Sequence, residues 1–241
     1  ALSNEIIEEF GLGFAPADPF WLHGFLSKRG YSQEFLKESG LFTRANPRRS
    51  LFAGRIIFPI RSRRGRVVAF GGRTLEGDGP KYINSPDTPI YRKRENLFGV
   101  DLALPEIRAT RRVILAEGYM DVIALHQAGV RNSVAPLGTS FTPQQASLLS
   151  RYVDSAALLF DGDAAGARAT RKAAEVLEPQ AIAVDVVQLE PGSDPADLLL
   201  HGGSREVRNA LSSRLTILEF LVRNSLQRLA EEGQEHLSSP R

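Results

Sequence analysis

Apolar positions in the second half of the chain alternate between short continuous runs and longer stretches with helical spacing. The apolar runs lie at 113–116, 134–135, 156–160 and 181–189. Residues 120–128 and 164–177 between them carry the 3.6-residue period of amphipathic helices. Thr142, Pro143 and Gln145 form a capping box with proline at the first helical position, which predicts a helix start. A strand–helix rhythm of this kind predicts a parallel sheet covered by helices.

The first half of the chain has a different pattern. Three short helices are predicted, at 4–10 with Asn4 as the cap, at 19–28, and at 33–38 with Ser32 as the cap. The apolar runs 55–60 and 66–71 predict a hairpin whose connection, 61–65, is strongly cationic.

Two further segments complete the prediction. Pro59 places the first hairpin strand at an edge or a bulge, and 81–94 is predicted to be an irregular loop because of its prolines and polar residues. After Pro195 the chain is predicted to be helical, with an apolar pattern through Leu215, Leu218, Leu221 and Val222.

These patterns predict an α/β protein with three parts. Residues 1–110 form a basic mixed α+β subdomain, 111–192 form the domain with the parallel sheet, and 193–241 form a short helical segment.

Composition excludes several classes of protein. The chain has no cysteine and only four scattered histidines, so it has no disulfide, no thiol nucleophile and no cysteine-ligated zinc. It also has no apolar run of about 18 residues, and its first residues are acidic instead of forming a secretory signal. We therefore expect a cytoplasmic protein with no membrane partner.

The charge is distributed unevenly along the chain. Residues 44–94 carry thirteen basic and three acidic side chains, a local net charge of +10, whereas the remainder carries 17 basic and 25 acidic side chains. Aromatic residues are interleaved with these cations: Phe52, Phe58, Phe70, Tyr82, Tyr91 and Phe98. Mixed basic and aromatic surfaces suit single-stranded nucleic acid. A solvated basic surface over a core that contains these rings is the alternative.

Acidic residues follow three of the predicted strands. They are Glu117 with Asp121, Asp161 with Asp163, and Asp194 with Asp197. Because ligand sites of open α/β sheets lie at the carboxyl ends of the strands, we expect these groups to converge. Converging carboxylates repel unless a cation intervenes, which favours Mg²⁺ or Mn²⁺ and more than one ion. The alternative is that they are loop residues or helix caps, as Asp163 and Asp194 would be.

Other phosphate and metal motifs do not fit. The run 161–166 begins like a calcium-binding loop, but Ala165 and Lys172 stand where oxygen ligands are required. The chain has no Gly-Lys-Ser/Thr triplet of a phosphate-binding loop, and the glycines at 11 and 13 are followed by Pro16 instead of the third glycine of a dinucleotide fingerprint.

Several motifs resemble those of a known family. Glu117-Gly-Tyr-Met-Asp121 followed by Asp161-Gly-Asp-Ala-Ala-Gly166 resembles the TOPRIM signature, which primases, topoisomerases and some nucleases share. Longer runs resemble bacterial DnaG-type primases in particular. These runs are 54–60 (GRIIFPI), 69–73 (AFGGR), 80–86 (PKYINSP), 97–99 (LFG) and 137–140 (LGTS). The resemblance covers nearly the whole chain, in order.

The resemblance implies a template groove in residues 1–110 and a TOPRIM-type, metal-binding catalytic domain with a parallel sheet in residues 111–192. It also implies a role for each matching residue. Glu117 is implied to be the catalytic acid near the primer terminus and, with Asp121, part of the metal-binding cluster. Asp161 and Asp163 are implied to be catalytic metal ligands, with help from Asp194. The implied nucleic-acid-binding and nucleotide-binding residues are Arg55, Arg73, Lys81, Tyr82 and Lys93. Leu51 and Ala53 stand where many members carry basic residues.

The activity implied is DNA-templated synthesis of short RNA primers. The implied partners are single-stranded DNA, ribonucleoside triphosphates and the RNA primer, together with the replicative helicase and a zinc-binding domain that act through parts absent from this chain. The implied location is the bacterial nucleoid. A TOPRIM nuclease with the same carboxylates and a non-catalytic single-strand-binding module are the alternatives.

Overall fold

The protein is described by a computed structural model that covers residues 1–75, 79–138, 140–189 and 193–238. The helices are α1 (Asn4–Phe10), α2 (Trp21–Lys28), α3 (Gln33–Glu38), α4 (Val100–Thr110), α5 (Tyr119–Gln127), α6 (Pro143–Leu149), α7 (Ala164–Leu177), α8 (Pro195–Ser212) and α9 (Ile217–Ser238). The strands are β1 (Gly13–Phe14), β2 (Arg55–Arg61), β3 (Val67–Thr74), β4 (Tyr82–Asn84), β5 (Arg112–Ala116), β6 (Ser133–Val134), β7 (Ser155–Leu159), β8 (Ala183–Val187) and β9 (Arg214–Thr216).

The strands form two sheets. The first is antiparallel, in the order β1-β2-β3-β4, and the second has the order β6-β5-β7-β8-β9. In the second sheet β5, β6, β7 and β8 run parallel, and only β9 is antiparallel to its neighbour. The carboxyl ends of β5 and β7 therefore meet at one edge of this sheet, where the sequence places its acidic residues.

The two sheets share one group of buried apolar residues. Phe58 and Ile60 of β2 pack in the same cluster as Ala116 of β5, Leu159 of β7 and Val207 of α8. A second cluster lies on the other face of the parallel sheet, between α4, α6 and α7. Among the described residues, no helix is both long enough and apolar enough to cross a membrane.

Most predicted elements are present, with small shifts in their bounds. The capping box at Thr142 is formed, and the helix at 164–177 has the predicted ends. The first helix is capped by Ser3 instead of Asn4, because the Ser3 side chain accepts the hydrogen bond of the Ile6 N–H. Pro59 is tolerated because β1 pairs only with Ile56 and Ile57, so Pro59 lies on an edge of the sheet there, and a register shift follows between Ile60 and Arg61.

Three features of the prediction were wrong. The segment 81–94 is not an irregular loop throughout, because Tyr82–Asn84 is strand β4 and Lys93–Glu95 is a 3₁₀-helix. Residues 214–216 are not helical but form β9, whose pairing with β8 outweighs the local apolar spacing. Helix α4 was not predicted at all, since Pro105 interrupts its pattern.

Other parts of the prediction fall partly outside the described residues. Thr139 of the run 137–140 lies there, as do residues 190–192, next to the predicted domain boundary, and the C-terminal residues 239–241. The division into 1–110, 111–192 and 193–241 stays a prediction.

Candidate active site at the carboxyl edge of the parallel sheet

Glu117 is the first residue after β5, and its exposed side chain reaches the end of the neighbouring parallel strand. Its Oε2 atom accepts a hydrogen bond from the Asp161 backbone N–H at 3.2 Å. The chain then turns at Gly118 into α5, where Oδ2 of Asp121 accepts the Gly118 N–H at 2.8 Å. Glu117 and Asp121 are thus held by the same strand–helix turn, Glu117 exposed at its surface and Asp121 8% exposed beneath it.

Asp161 and Asp163 occupy a tight turn between β7 and α7. Asp163 is the N-cap of α7, and its Oδ1 atom accepts the Gly166 N–H at 2.7 Å. A Cβ atom at Gly166 would lie 2.0 Å from the Asp161 carbonyl oxygen, so no other residue type fits without rebuilding the turn. The glycine that ends the motif 161–166 therefore positions the Asp161 backbone.

Asp194 lies at the N-terminus of α8. Its Oδ1 atom accepts the Asp197 N–H at 2.7 Å, so Asp194 is also an N-cap. The cap interpretation of Asp163 and Asp194 is therefore correct for both residues. Each capping bond uses one carboxylate oxygen, so capping and metal binding are compatible at these positions.

The electrostatics show that these carboxylates form one group. The pKa of Asp121 is raised to about 7, first by burial and then by the negative charges of Asp194, Asp161 and Glu117. The pKa of Asp161 is raised to about 6 by burial and by the charges of Glu117, Asp194, Asp163 and Asp197. The three sequence-distant acidic sets therefore converge, as the strand pattern predicts.

The group carries excess negative charge. Among the ion pairs of the described residues, none involves Glu117, Asp121, Asp161, Asp163 or Asp194. Oxygen donors without a basic partner are the ligands that hard divalent cations prefer. In the same part of the chain, no three His, Asp or Glu side chains are placed to hold a single ion. The donor chemistry of this group therefore fits a hard divalent cation such as Mg²⁺ or Mn²⁺.

The antiparallel sheet presents cations and an aromatic ring to this acidic group. Arg73 and Tyr82 are register partners on β3 and β4, and the Arg73 guanidinium carbon lies 5.5 Å from the centre of the Tyr82 ring. Burial is the main cause that raises the pKa of Tyr82, Arg73 opposes it, and the charges of Asp121 and Asp194 add to it. Tyr82 is therefore close to both the cation and the carboxylates.

The other predicted cations lie in two places. Arg55 is at the same end of the antiparallel sheet. Its Nη1 atom donates to the carbonyl oxygen of Pro80, the residue before Lys81, at 3.0 Å. Lys93 is in the 3₁₀-helix, and its backbone N–H donates to Asp87 Oδ1 at 2.9 Å. The structure therefore groups Arg55, Arg73 and Tyr82 on one sheet, with Lys81 directly before β4, and places Lys93 on a separate turn.

The sequence prediction missed the residues that join the two sheets beside this site. The buried Tyr119 hydroxyl donates to Asn84 Oδ1, and Asn84 Nδ2 donates to the Leu137 carbonyl at 2.9 Å. Gly71 makes room for the ring, because a Cβ atom there would lie 2.8 Å from it. The run 80–86 contained the signal, since a lone asparagine in a strand-like segment requires hydrogen-bonding partners.

Comparisons with known proteins agree with this geometry. Residues 1–104 match the family model of the N-terminal domain of the DNA primase catalytic core, and residues 114–199 match a Toprim-like model. The chain is 43% identical over 225 residues to the DNA primase of Borreliella burgdorferi, which covers 92% of this chain. It spans 43% of the length of that curated relative, so it corresponds to less than half of it.

Solved structures of the same kind are similar to it over nearly its whole length. The RNA polymerase domain of Mycobacterium tuberculosis primase DnaG has a TM-score of 0.85 and 34% identity, over 93% of this chain and 76% of that one. A DnaG primase catalytic domain bound to single-stranded DNA has a TM-score of 0.81 and 34% identity, over 94% of this chain and 73% of that one. The predicted fold class, a TOPRIM-type parallel-sheet domain after a mixed α+β region, is thereby confirmed.

Proposed function

Since the chain belongs to the family of DnaG-type DNA primases, we propose that it is a catalytic core that synthesises short RNA primers on single-stranded DNA. The reaction would be DNA-templated nucleotidyl transfer from ribonucleoside triphosphates. The similar catalytic domain bound to single-stranded DNA supports the same kind of template for this chain.

One observation supports this function above the others. The carboxylates at the ends of β5 and β7 lie close enough to Tyr82 to raise its pKa, and Arg73 lies over the same ring. A cationic and aromatic surface therefore borders directly on a cluster of oxygen ligands. A polymerase needs this combination, because the nucleic acid must be held where the metal-bound triphosphate reacts.

Toprim-like domains and primase cores are generally metal-dependent. We assign the ions to Glu117, Asp121, Asp161, Asp163 and Asp194, with Mg²⁺ or Mn²⁺ as the metal, more than one ion, and no zinc. When bound, such ions neutralise the triphosphate and stabilise the charge that develops on the leaving pyrophosphate.

The protein groups would act by holding and orienting the reactants. The 3′-hydroxyl oxygen forms a bond to the α-phosphorus while the bond to pyrophosphate breaks, and the hydroxyl proton passes to the Glu117 carboxylate. Asp161, whose N–H holds the Glu117 side chain, keeps that carboxylate at the strand end. Arg55, Arg73, Lys81, Tyr82 and Lys93 would contact template and nucleotide phosphates. Most of the rate enhancement would come from this positioning.

The remaining partners are proposed from the family. The replicative helicase and a zinc-binding domain would act through parts of the longer protein, and the site of action would be the bacterial nucleoid. A similar Aquifex aeolicus structure contains zinc-binding and RNA polymerase domains together, with a TM-score of 0.84 and 36% identity, over 97% of this chain and 58% of that one.

The test is primer synthesis from labelled ribonucleotides on single-stranded DNA, with Mg²⁺ or Mn²⁺ and with or without a preformed primer. Wild type should extend RNA, whereas Glu117→Gln and Asp161→Asn should lose at least about a hundredfold in rate. Glu178→Gln is the matched control and should keep its activity, because this exposed carboxylate lies at the opposite end of α7 from Asp163.

Two results would reject the proposal. If wild type cuts the template and makes no RNA, the protein is a nuclease. If it binds template but neither extends a primer nor cuts, it is a binding module, and the carboxylates act only as caps.

A further inference from the structure

A second group of arginines surrounds Tyr152, which follows α6. Arg63 lies at the tip of the β2–β3 hairpin, and its Nη1 atom donates to the Tyr152 hydroxyl oxygen at 3.3 Å. The last turn of α4 places the Arg108 guanidinium carbon 5.2 Å from the centre of the same ring. Arg108, followed by Arg63, lowers the pKa of Tyr152. Three elements that are distant in sequence thus meet at this ring.

This group lies at the opposite end of the parallel sheet from the carboxylates. Tyr152 precedes the first residue of β7, whereas Asp161 follows the last. A five-residue strand spans roughly 16 Å, so the two groups are separated by at least one strand length. The hairpin has the same orientation, because Arg55 and Arg73 are at its open end and Arg63 is at its tip. The tip is therefore no part of the candidate active site.

The charge around Tyr152 is strongly positive. The arginines in the three segments and at the adjoining strand start are Arg63, Arg64, Arg66, Arg108, Arg111, Arg112 and Arg151. All seven are exposed. The acids in the same segments are Glu106 and Asp154, and Asp154 is paired with Arg111 at 2.6 Å. Among the ion pairs of the described residues, none involves the other six arginines. We call these seven arginines and Tyr152 the Tyr152 surface.

The residues of this surface are better suited to bind phosphate groups than to bind another protein. All of its cations are guanidinium groups, whose planar fork matches two phosphate oxygens. Protein interfaces are anchored by large apolar side chains, and of the exposed large hydrophobic residues in the described chain only Val67 adjoins the hairpin tip. The bond from Arg63 to Tyr152 also orders one of the cations before any ligand binds.

We propose that the Tyr152 surface binds the phosphate backbone of single-stranded nucleic acid outside the catalytic groove. This inference rests on the proposed function, since it assumes a template strand that extends beyond the active site. A strand bound in both places would be held at two points, which increases its residence time without any sequence preference. The surface would thus serve to retain the template and would take no part in the chemistry.

The test compares the double variant Arg63→Ala/Arg64→Ala with Arg205→Ala/Arg223→Ala, which removes the same charge from exposed positions on α8 and α9. Fluorescence anisotropy measures binding to a short oligothymidine that fills only the catalytic groove and to one several times longer. The hairpin variant should lose about fivefold to tenfold in affinity for the long strand and none for the short one. Its slope of log K against log salt should fall by about 1.4, since each lost single-strand phosphate contact contributes about 0.7.

A second variant addresses the ring itself. Tyr152→Phe removes the hydroxyl that orders Arg63 and keeps the ring, so it should lose about twofold for the long strand only. Circular dichroism melting must show that the hairpin and Tyr152 variants are as stable as the control. Primer extension on a short primed template should be unchanged in both, which separates this surface from the proposed catalytic site.

Three outcomes would overturn the inference. Equal long-strand affinity in the hairpin and control variants would mean that the arginines are only solvated. An equal loss for short and long strands would place the effect in the groove. A hairpin variant that keeps its DNA affinity but loses binding of polyglutamate would identify an acidic protein as the partner. If wild type made no RNA but the hairpin variant still lost affinity for the long strand alone, the proposed function would fail and the inference about the Tyr152 surface would stand.

Discussion

Asp121 is a buried acidic residue that takes part in none of the ion pairs of the described residues. It is 8% exposed, accepts the Gly118 N–H, and has a pKa of about 7 because of burial and neighbouring carboxylates. The reason for burying an acid at this point lies in the turn, because its carboxylate closes the first turn of α5. The sequence suggested the cluster, but burial depends on packing from elsewhere in the fold and was not predictable from spacing.

The raised pKa of Asp121 predicts that the stability of the metal-free protein depends on pH. A carboxyl group whose folded pKa is raised stabilises the protein fully below about pH 4, and this stabilisation is lost as the pH rises through about 7. In EDTA at pH 8, Asp121→Asn should therefore increase the free energy of unfolding by about 4 kcal/mol, which raises Tm by roughly 8–16 °C. The difference should vanish below pH 4, and Mg²⁺ should stabilise only wild type. Glu178→Gln is the control, since this exposed carboxylate is in none of the ion pairs of the described residues. A lower Tm for Asp121→Asn at pH 8 would contradict the argument.

His126 predicts the opposite dependence. It is 2% exposed, its Nε2–H donates to the Ser133 carbonyl at 3.1 Å, and the Phe10 ring packs against it. Burial lowers its pKa to about 4, so its contribution is full above about pH 6.5 and is lost as the pH falls through 4. Urea titrations between pH 7 and 4 should show a loss of about 3 kcal/mol in wild type beyond that of His126→Gln. If the free energies of unfolding of wild type and His126→Gln fell equally between pH 7 and 4, His126 would not cause the pH dependence.

At the scale of elements, the sequence was informative wherever local signals and tertiary pairing agree. The capping box at Thr142 and the helix 164–177 are specified by neighbouring residues, and both are present. Strands β4 and β9 have three residues each, and only the partner strand makes them strands. A pattern within three residues contains too little information to distinguish strand from loop or helix.

The hydrogen bond between Tyr119 and Asn84, which joins the two sheets, is expected to contribute to the free energy of unfolding. Tyr119→Phe removes the hydroxyl that donates to Asn84 and leaves the half-buried Asn84 amide oxygen without that donor. We expect the free energy of unfolding to fall by about 1–2 kcal/mol in urea denaturation. Primer extension should weaken too, since Tyr119 is two residues from Glu117. Tyr31→Phe, which changes a tyrosine that is 46% exposed, is the control and should have no effect on either quantity. Equal stability of the two variants would show that Asn84 needs no such donor.

At the scale of the whole molecule, one buried cluster spans the antiparallel sheet, the parallel sheet and α8. The sequence pattern suggested separate parts, because charge and periodicity change near residue 110. It gave no sign that residues such as Phe58 and Tyr119 stack at 5.1 Å across the division. The same holds for the candidate site. Its acidic residues could be identified in the sequence, but their distances from Arg73 and Tyr82 depend on how the two sheets pack together.

Shared burial predicts that the described part of the chain unfolds as one unit. Phe58 is 1% exposed, so Phe58→Ala should cost about 3–5 kcal/mol. Calorimetry should still show a single transition at lower temperature, with the near-ultraviolet and far-ultraviolet circular dichroism changing together. Phe35→Ala, at an exposed aromatic residue, is the control. Two separate transitions in wild type or in Phe58→Ala would show that the sheets fold independently.

The short strands at the two margins of the parallel sheet have a further consequence. Strand β6 contributes two residues at one margin, and β9 contributes three at the other, where it runs against the direction of the sheet. Long, flat margins offer rows of unpaired amide groups on which other chains can assemble into fibrils. Margins of two or three residues offer too few such groups for a stable intermolecular ladder. The most apolar strands, β5 and β7, are thereby kept inside the sheet and protected from self-association.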